Sequence, residues 1–440
     1  MATSKLSDMF KVPELRARVF FTLTLLVIFR VGAMIPIPGI NASVINAMSA
    51  SSLGMGGVAD TLDFFTGGAF SSYSILMLGI MPYISAQIIM QVLTIVFPAL
   101  KRMLEEDGGR RKFHRYTRMG TIIVCLIQGF AFVRGALGIE GAVISTMSPV
   151  MFMTIGLISV TTGSIFLIWL GERITQRGVG NGISLIIFAG IIARIPEAIV
   201  QMMAEVRTGT VNGVFVFIAI AIFVGIVAIV AWEQQGERKI PVNYAKRIVG
   251  RQMVQAQNSY IPFKINPSGV IPIIFASSVL TLPLQFAAPL AMGSPFWEGL
   301  LYHMRYEGPL FNTLYALLII FFAYFYTQVS LNPIEVARRI RENGGVIPGV
   351  RSEAMESYLQ KILNRIVLPG AIFLAAIALV PTFIVFLMGL PPGVAHLMGG
   401  TSLLIIVGVN LDTMNQIDSH LRMHQHDGIV AKGRIKPRNI

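Results

Sequence analysis

Long apolar runs recur along the chain, separated by polar stretches. Ten of them are candidate membrane spans, at roughly 19–40, 72–97, 119–139, 150–170, 183–203, 211–232, 270–292, 309–331, 366–389 and 394–411. Crossing the hydrocarbon core takes about 20 predominantly apolar residues. The second run has a further pattern inside it. Ile80, Ile84, Gln87 and Gln91 fall at i, i+4, i+7 and i+11, so a helix places them on one face. Two branched aliphatics followed by two amides make a poor lipid-facing stripe. An amide in hydrocarbon is costly without a partner, so this face is expected to meet protein or water. Pro82 beside it is read as an interruption of the helical ladder, which membrane helices tolerate.

Composition agrees with this pattern. Charged residues make up 13% of the 440-residue chain and hydrophobic residues 54%, with a net charge of +13. A soluble domain carries about 25% charged residues. The basic residues are unevenly placed. With the N-terminus inside, the inner segments 1–18, 98–118, 171–181, 233–268, 333–365 and 412–440 hold 30 of the 35 Lys and Arg. That asymmetry orients both termini to the cytoplasm. The first run carries Arg30 and lacks a small-residue cleavage site, so it reads as a retained span. Cys125 is the single cysteine and lies within the third run, which excludes an intrachain disulfide and points to a core residue.

The polar stretches differ in character. Residues 1–18 read either as an amphipathic helix on the inner surface or as a disordered tail. Ile35-Pro36-Ile37-Pro38-Gly39 ends the first span. The Gly/Ser-rich stretch that follows carries Leu62, Phe64 and Phe65, too apolar for an exposed tip. A short helix tucked back into the protein, hinged at Gly67-Gly68, accounts for them and implies a cavity. Gly178, Gly180 and Gly182 make an inner turn; without a preceding strand they are a poor phosphate loop. The inner loops 233–268 and 333–365 are longer than connection alone requires, and the first reads as a projecting hairpin. The layout divides into an N-terminal half, 19–203, a C-terminal half, 204–411, and a cytoplasmic tail, 412–440. Two five-span halves would be inverted relative to one another.

Catalytic and metal chemistry find little footing. No span holds Asp, Glu or Lys at its centre; Arg30, Arg134, Arg194 and Glu197 lie toward span ends. His420, His424 and His426 have ligand-like spacing but sit in a polar tail, where solvation outweighs metal binding. No catalytic, cofactor or metal site is assigned. Two classes stay open on the residues alone: a passive channel driven by partners, and a secondary transporter with inverted repeats. The lack of intramembrane acids and the large basic loops favour the channel.

Several runs carry a family resemblance. Phe64-Phe65-Thr66-Gly67-Gly68-Ala69, Gly79-Ile80-Met81-Pro82-Tyr83-Ile84-Ser85 and Gly108-Gly109-Arg110-Arg111-Lys112 resemble the bacterial SecY family. Gly180-Asn181-Gly182-Ile183-Ser184, Val242-Asn243-Tyr244-Ala245-Lys246-Arg247, Gly269-Val270-Ile271-Pro272-Ile273-Ile274 and Gly399-Gly400-Thr401-Ser402-Leu403-Leu404-Ile405 continue the match in order. The resemblance implies an all-α polytopic membrane protein, with ten transmembrane helices in two inverted five-helix halves forming an hourglass channel. It implies that secretory polypeptides pass across the membrane and that hydrophobic segments leave laterally into lipid. By motif position, Ile80, Ile84, Ile183, Ile187, Ile274 and Ile405 would form a pore ring, whose apolar lining excludes water and ions. Residues 57–69, with Leu62, Phe64, Phe65, Gly67 and Gly68, would form a plug. Gln87, Gln91, Gln128, Ser277 and Ser278 would border the lateral gate, and Gln91 with Gln128 would form a polar latch. Arg251 and Arg351 would dock the ribosome and the motor ATPase SecA. The small membrane subunits SecE and SecG, signal sequences, nascent chains and the lipid bilayer are the further partners implied. Nucleic acid would be met only through ribosomal RNA. After Arg351 the chain reads Ser352-Glu353, a departure from the family's Pro/Gly-type continuation.

Overall fold

The computed structural model describes residues 12–41, 43–45, 63, 65–106, 108–145, 147–209, 213–244, 247–249, 252–254, 258–290, 299, 303–304, 308–388 and 400–431. The chain forms two compact units. One comprises Met1–Ala204, Thr281–Leu301 and Ile405–Ile440; the other comprises Glu205–Leu280 and Tyr302–Leu404.

Helices dominate. They are α1 (Pro13–Ala33), α2 (Met81–Val96), α3 (Pro98–Glu105), α4 (Gly109–Leu137), α5 (Pro149–Arg177), α6 (Gly182–Thr208) and α7 (Gly213–Gln235), then α8 (Ile271–Leu290), α9 (Pro309–Ser330), α10 (Pro333–Glu342), α11 (Met355–Met388) and α12 (Gly400–Ala431). All ten apolar runs fall wholly or partly on one of these helices. Among the described residues, six helical stretches are long and apolar enough to cross a membrane, and the pair α2–α3, bent by 108°, adds a seventh. The protein is an all-α polytopic membrane protein.

In the first unit α2 packs on α4, α4 on α5, and α1 on α5. The second apolar run departs from a continuous span. Residues 67–80 form buried turns, and the helix begins only at Met81. Gly79 explains the boundary. Its φ of +58° is left-handed, and a Cβ there would lie 2.8 Å from Thr66 Cγ2. Pro82 therefore stands in the first turn of α2, where its missing N–H costs nothing, rather than interrupting a ladder. Ile80 is the N-cap, and its carbonyl accepts from Ile84 N–H at 3.1 Å, which keeps both side chains on one face.

The inner glycine turn also has a plain structural role. Val179 N–H donates to Thr22 Oγ1 at 3.1 Å, Gly180 N–H to Gln416 Oε1 at 2.5 Å, and Gly182 N–H to Thr175 Oγ1 at 2.9 Å. A Cβ on Gly182 would meet Gly171 O at 2.0 Å. The turn thus ties α5 to α1 and α12, and Leu15, Val179 and Ile417 pack over it.

The second unit holds the strands. In loop 233–268, β1 (Glu237–Tyr244) pairs antiparallel with β4 (Asn258–Lys264), with Ile240 opposite Ile261. A smaller ribbon, β2 (Arg247–Val249) with β3 (Gln252–Val254), lies between them in sequence. Loop 333–365 supplies α10, then β5 (Gly345–Val346), which adds to the free edge of β1 through Asn243–Val346 and Tyr244–Gly345. The two loops, separate in the sequence, fold as one module. Ile240, Val242 and Phe263 from the hairpin bury against Ala337 and Ile340 of α10 and Met355, Leu359 and Leu363 of α11. Each such aliphatic side chain contributes about 1.5–3 kcal/mol on burial.

Candidate functional site

The expected plug and several ring positions lie in the first unit. Leu62 and Phe64 lie outside the described residues. Phe65 is buried, and with Ile80, Ile84, Ile187, Phe29 and Leu167 it lines a small, mostly apolar cavity. Ile183, one turn before Ile187 on α6, is half-buried. Ile405 is buried on α12, and Ile274 is buried on α8 in the second unit.

The segment that carries Phe65 is held at several points. Gly67 and Gly68 have φ of +66° and +90°, so the hinge expected at these two residues has the left-handed backbone that glycine permits. A Cβ on Gly67 would stand 2.7 Å from Gly190 Cα, which means the segment and α6 touch backbone to backbone. Arg30 donates through Nη1 to Gly67 O at 2.6 Å. Thr66 Oγ1 accepts from Phe70 N–H at 3.2 Å. Asp63 is 5% exposed. Its Oδ1 accepts from Ser71 N–H at 2.7 Å, and its Oδ2 pairs with Arg194. Arg194 Nε also lies 3.7 Å from Glu197, an exposed side chain one turn along α6.

In the sequence Arg30, Arg194 and Glu197 stand out only as charges near span ends, and Asp63 does not stand out. The signal that identifies them was available in part. A cation near the end of an apolar run needs a partner, and the nearby stretch holding Leu62-Asp63-Phe64 has an acid between large apolar residues.

The expected gate residues are distributed over α2, α4 and α8. Gln87 and Gln91 are half-buried on α2. Gln91 Oε1 is itself buried and accepts no hydrogen bond among the described residues, so it takes none from Gln128. Gln128 is 3% exposed on α4. Ser277 and Ser278 are buried on α8 and donate to Ile274 O at 2.9 and 2.8 Å. These bonds hold both hydroxyls against their own helix beside a ring candidate.

On the second unit's module, Arg351 is exposed and precedes a 3-10 turn at Ser352–Ala354, which is where the Ser-Glu departure falls. Arg338, Arg339 and Arg341 pair with Glu342, Glu335 and Glu356. Arg351 makes no ion pair among the described residues. Arg251 lies outside them. Among the described residues no cluster of His, Cys, Asp and Glu could hold a metal.

Buried apolar side chains around a small cavity, beside a segment folded back among apolar helices, form the candidate site of this polytopic membrane protein. A family profile described as SecY matches residues 74–414. The chain belongs to the SecY family. It is 43% identical over 417 residues to the protein translocase subunit SecY of Borreliella burgdorferi, covering 94% of each chain. It is 39% identical over 431 residues to that of Escherichia coli K12, covering 96% of this chain and 95% of the other. Among solved structures it resembles a protein conducting channel, with a TM-score of 0.66, 22% identity and 92% of both chains covered. It also resembles Sec61 in the canine ribosome-channel complex, with a TM-score of 0.62, 20% identity and the same coverage. These two structures share its fold. The curated relatives of this family carry the name protein translocase subunit SecY.

Proposed function

We propose that this chain is the channel-forming subunit of a bacterial protein translocase. It sits in the cytoplasmic membrane with both termini inside, passes secretory polypeptides across, and releases hydrophobic segments laterally into lipid. The observation that carries the reading is the apolar cavity that Phe65 shares with Ile80, Ile84 and Ile187. In this reading those isoleucines, with Ile183, Ile274 and Ile405, form the ring at the waist of an hourglass made by two inverted halves, 19–203 and 204–411. Residues 57–69 are the plug that rests against it. Branched aliphatic side chains at a constriction exclude water and ions, yet move aside for a polypeptide.

Lateral release follows from partition. An apolar residue gains about 0.5 kcal/mol at mid-bilayer and a charge costs about 3 kcal/mol, so roughly six leucines offset one charge. Gln87, Gln91, Ser277 and Ser278 border this exit. The unpartnered Gln91 oxygen makes α2 the side that gains most from meeting a polar group. Gln128 is the second amide of the proposed latch.

The channel supplies no energy itself. SecA, the ribosome or the proton-motive force drives transport, and SecE and SecG complete the complex. Loops 233–268 and 333–365 form the docking face, with Arg251 and Arg351 as its contacts and ribosomal RNA as the only nucleic acid met. Arg351 suits this role because no acid among the described residues neutralises it, unlike its neighbours on α10. The test is reconstitution of the chain with SecE, SecG and SecA in vesicles, followed by ATP-driven uptake of a secretory precursor. The wild-type chain is expected to protect the precursor from protease. Arg351→Glu is expected to lower uptake about tenfold or more, since reversing a contact charge turns attraction into repulsion. Absence of uptake by the wild type contradicts the function; normal uptake by Arg351→Glu removes the docking assignment alone.

A further inference from the structure

We infer that the Asp63–Arg194 ion pair is the lock that sets how readily the plug segment leaves its seat, and hence how stringently the channel selects its substrates. This rests on the plug reading above.

Among the described residues, contacts with Gly190, Arg30 and Arg194 tie the segment to α1 and α6. The contact of Gly67 with Gly190 is neutral backbone packing, and the Arg30–Gly67 hydrogen bond joins a charge to a carbonyl. Neither leaves a buried acid behind when it parts. Asp63 is different. Its carboxylate is buried, and both oxygens are occupied, one by Ser71 N–H and the other by Arg194. Ser71 lies beyond the Gly67–Gly68 hinge and outside residues 57–69, and it offers only a neutral backbone N–H. Arg194 belongs to α6, carries the charge and stays behind as well. A buried carboxylate is tolerated only while it is paired and hydrogen-bonded. Moving the segment therefore parts the buried Asp63 from its only ion-pair partner among the described residues.

The two partners do not share the loss equally. Arg194 is partly exposed, and Glu197 stands 3.7 Å from its Nε. After separation the guanidinium keeps an acid on its own helix and access to water. Asp63 has no such substitute among the described residues. The penalty thus falls on the mobile element, which is where a threshold for opening has to act. Signals that engage the channel strongly repay it; weak signals do not.

Resting ion conductance of the full translocon in planar bilayers tests this, together with export of a precursor bearing a defective signal sequence. Asp63→Asn, nearly isosteric and still able to accept from Ser71, is expected to raise both readouts about tenfold, as is Arg194→Gln. Arg194→Lys keeps the charge and is expected to stay within about twofold of wild type. The double variant Asp63→Asn/Arg194→Gln is expected to exceed neither single variant, the signature of one shared interaction. Deletion of residues 57–69 is the control for the plug. If deletion raises conductance while both single variants match wild type, the lock is overturned and the plug reading stands. If deletion changes nothing, both fall.

Discussion

Gly67→Val is expected to unseat the plug segment and leave the channel leaking ions at rest, with a conductance well above that of any single-charge variant. Two independent penalties converge on this position. Its φ of +66° is a conformation that a β-branched residue adopts only at a cost of about 1–2 kcal/mol. The added Cβ also projects to 2.7 Å from Gly190 Cα, a contact with backbone that no rotamer relieves. The Arg30 bond to Gly67 O, at 2.6 Å, depends on the same backbone placement and is lost with it. Gly68→Ala makes an informative comparison. Its φ of +90° brings strain, but a Cβ there meets only the flexible end of Arg194, at 3.3 Å. Conductance is therefore expected to rise in the order wild type, Gly68→Ala, Gly67→Val. A Gly67→Val channel that stays as tight as wild type would show that the segment does not seal it.

Ile84→Asp is expected to open a permanent path for ions and to suppress transport of strongly hydrophobic segments. Ile84 is buried against the cavity that Phe65, Ile80 and Ile187 also line. In the proposed ring, a carboxylate at mid-membrane costs about 3 kcal/mol unless water enters to solvate it, so the substitution is expected to wet the proposed constriction. Ile84→Val removes one methylene and keeps the lining dry; it is expected to leave conductance within about twofold of wild type. Conductance across a bilayer separates the two variants directly. Equal behaviour of Asp and Val at this position would place Ile84 away from the conducting path.

The helical framework was legible because its signal is local. Runs of about 20 apolar residues need no knowledge of distant contacts. The hairpin of loop 233–268 was legible for the same reason, as alternation between two turns. What escaped depends on residues far apart in the chain. The strand addition of Gly345–Val346 to β1 joins residues about a hundred positions apart, and β5 is too short to announce itself as a strand. The Asp63–Arg194 pair spans 131 positions. Each member looks unremarkable alone, an acid in a Gly/Ser-rich stretch and a base near a span end. The place of Pro82 is hidden in the sequence because apolar character continues through residues 74–80, whereas helical structure does not; Gly79 sets the start of α2. Ile80 and Ile84 still share one face because the N-cap and the first turn do.

The central claim is that a polypeptide in transit passes the isoleucine ring. A stalled secretory chain, held part-way through the reconstituted translocon, tests it most directly with single cysteines placed at Ile80, Ile183, Ile274 and Ile405 in a Cys125→Ala background. The chain carries one native cysteine, buried on α4, so the introduced thiols are the reactive ones. Disulfide crosslinks from the stalled chain to each of the four positions, absent at the exposed Phe217 of α7, are the result predicted. Crosslinks at none of the four, with the chain demonstrably part-way across, would contradict the account.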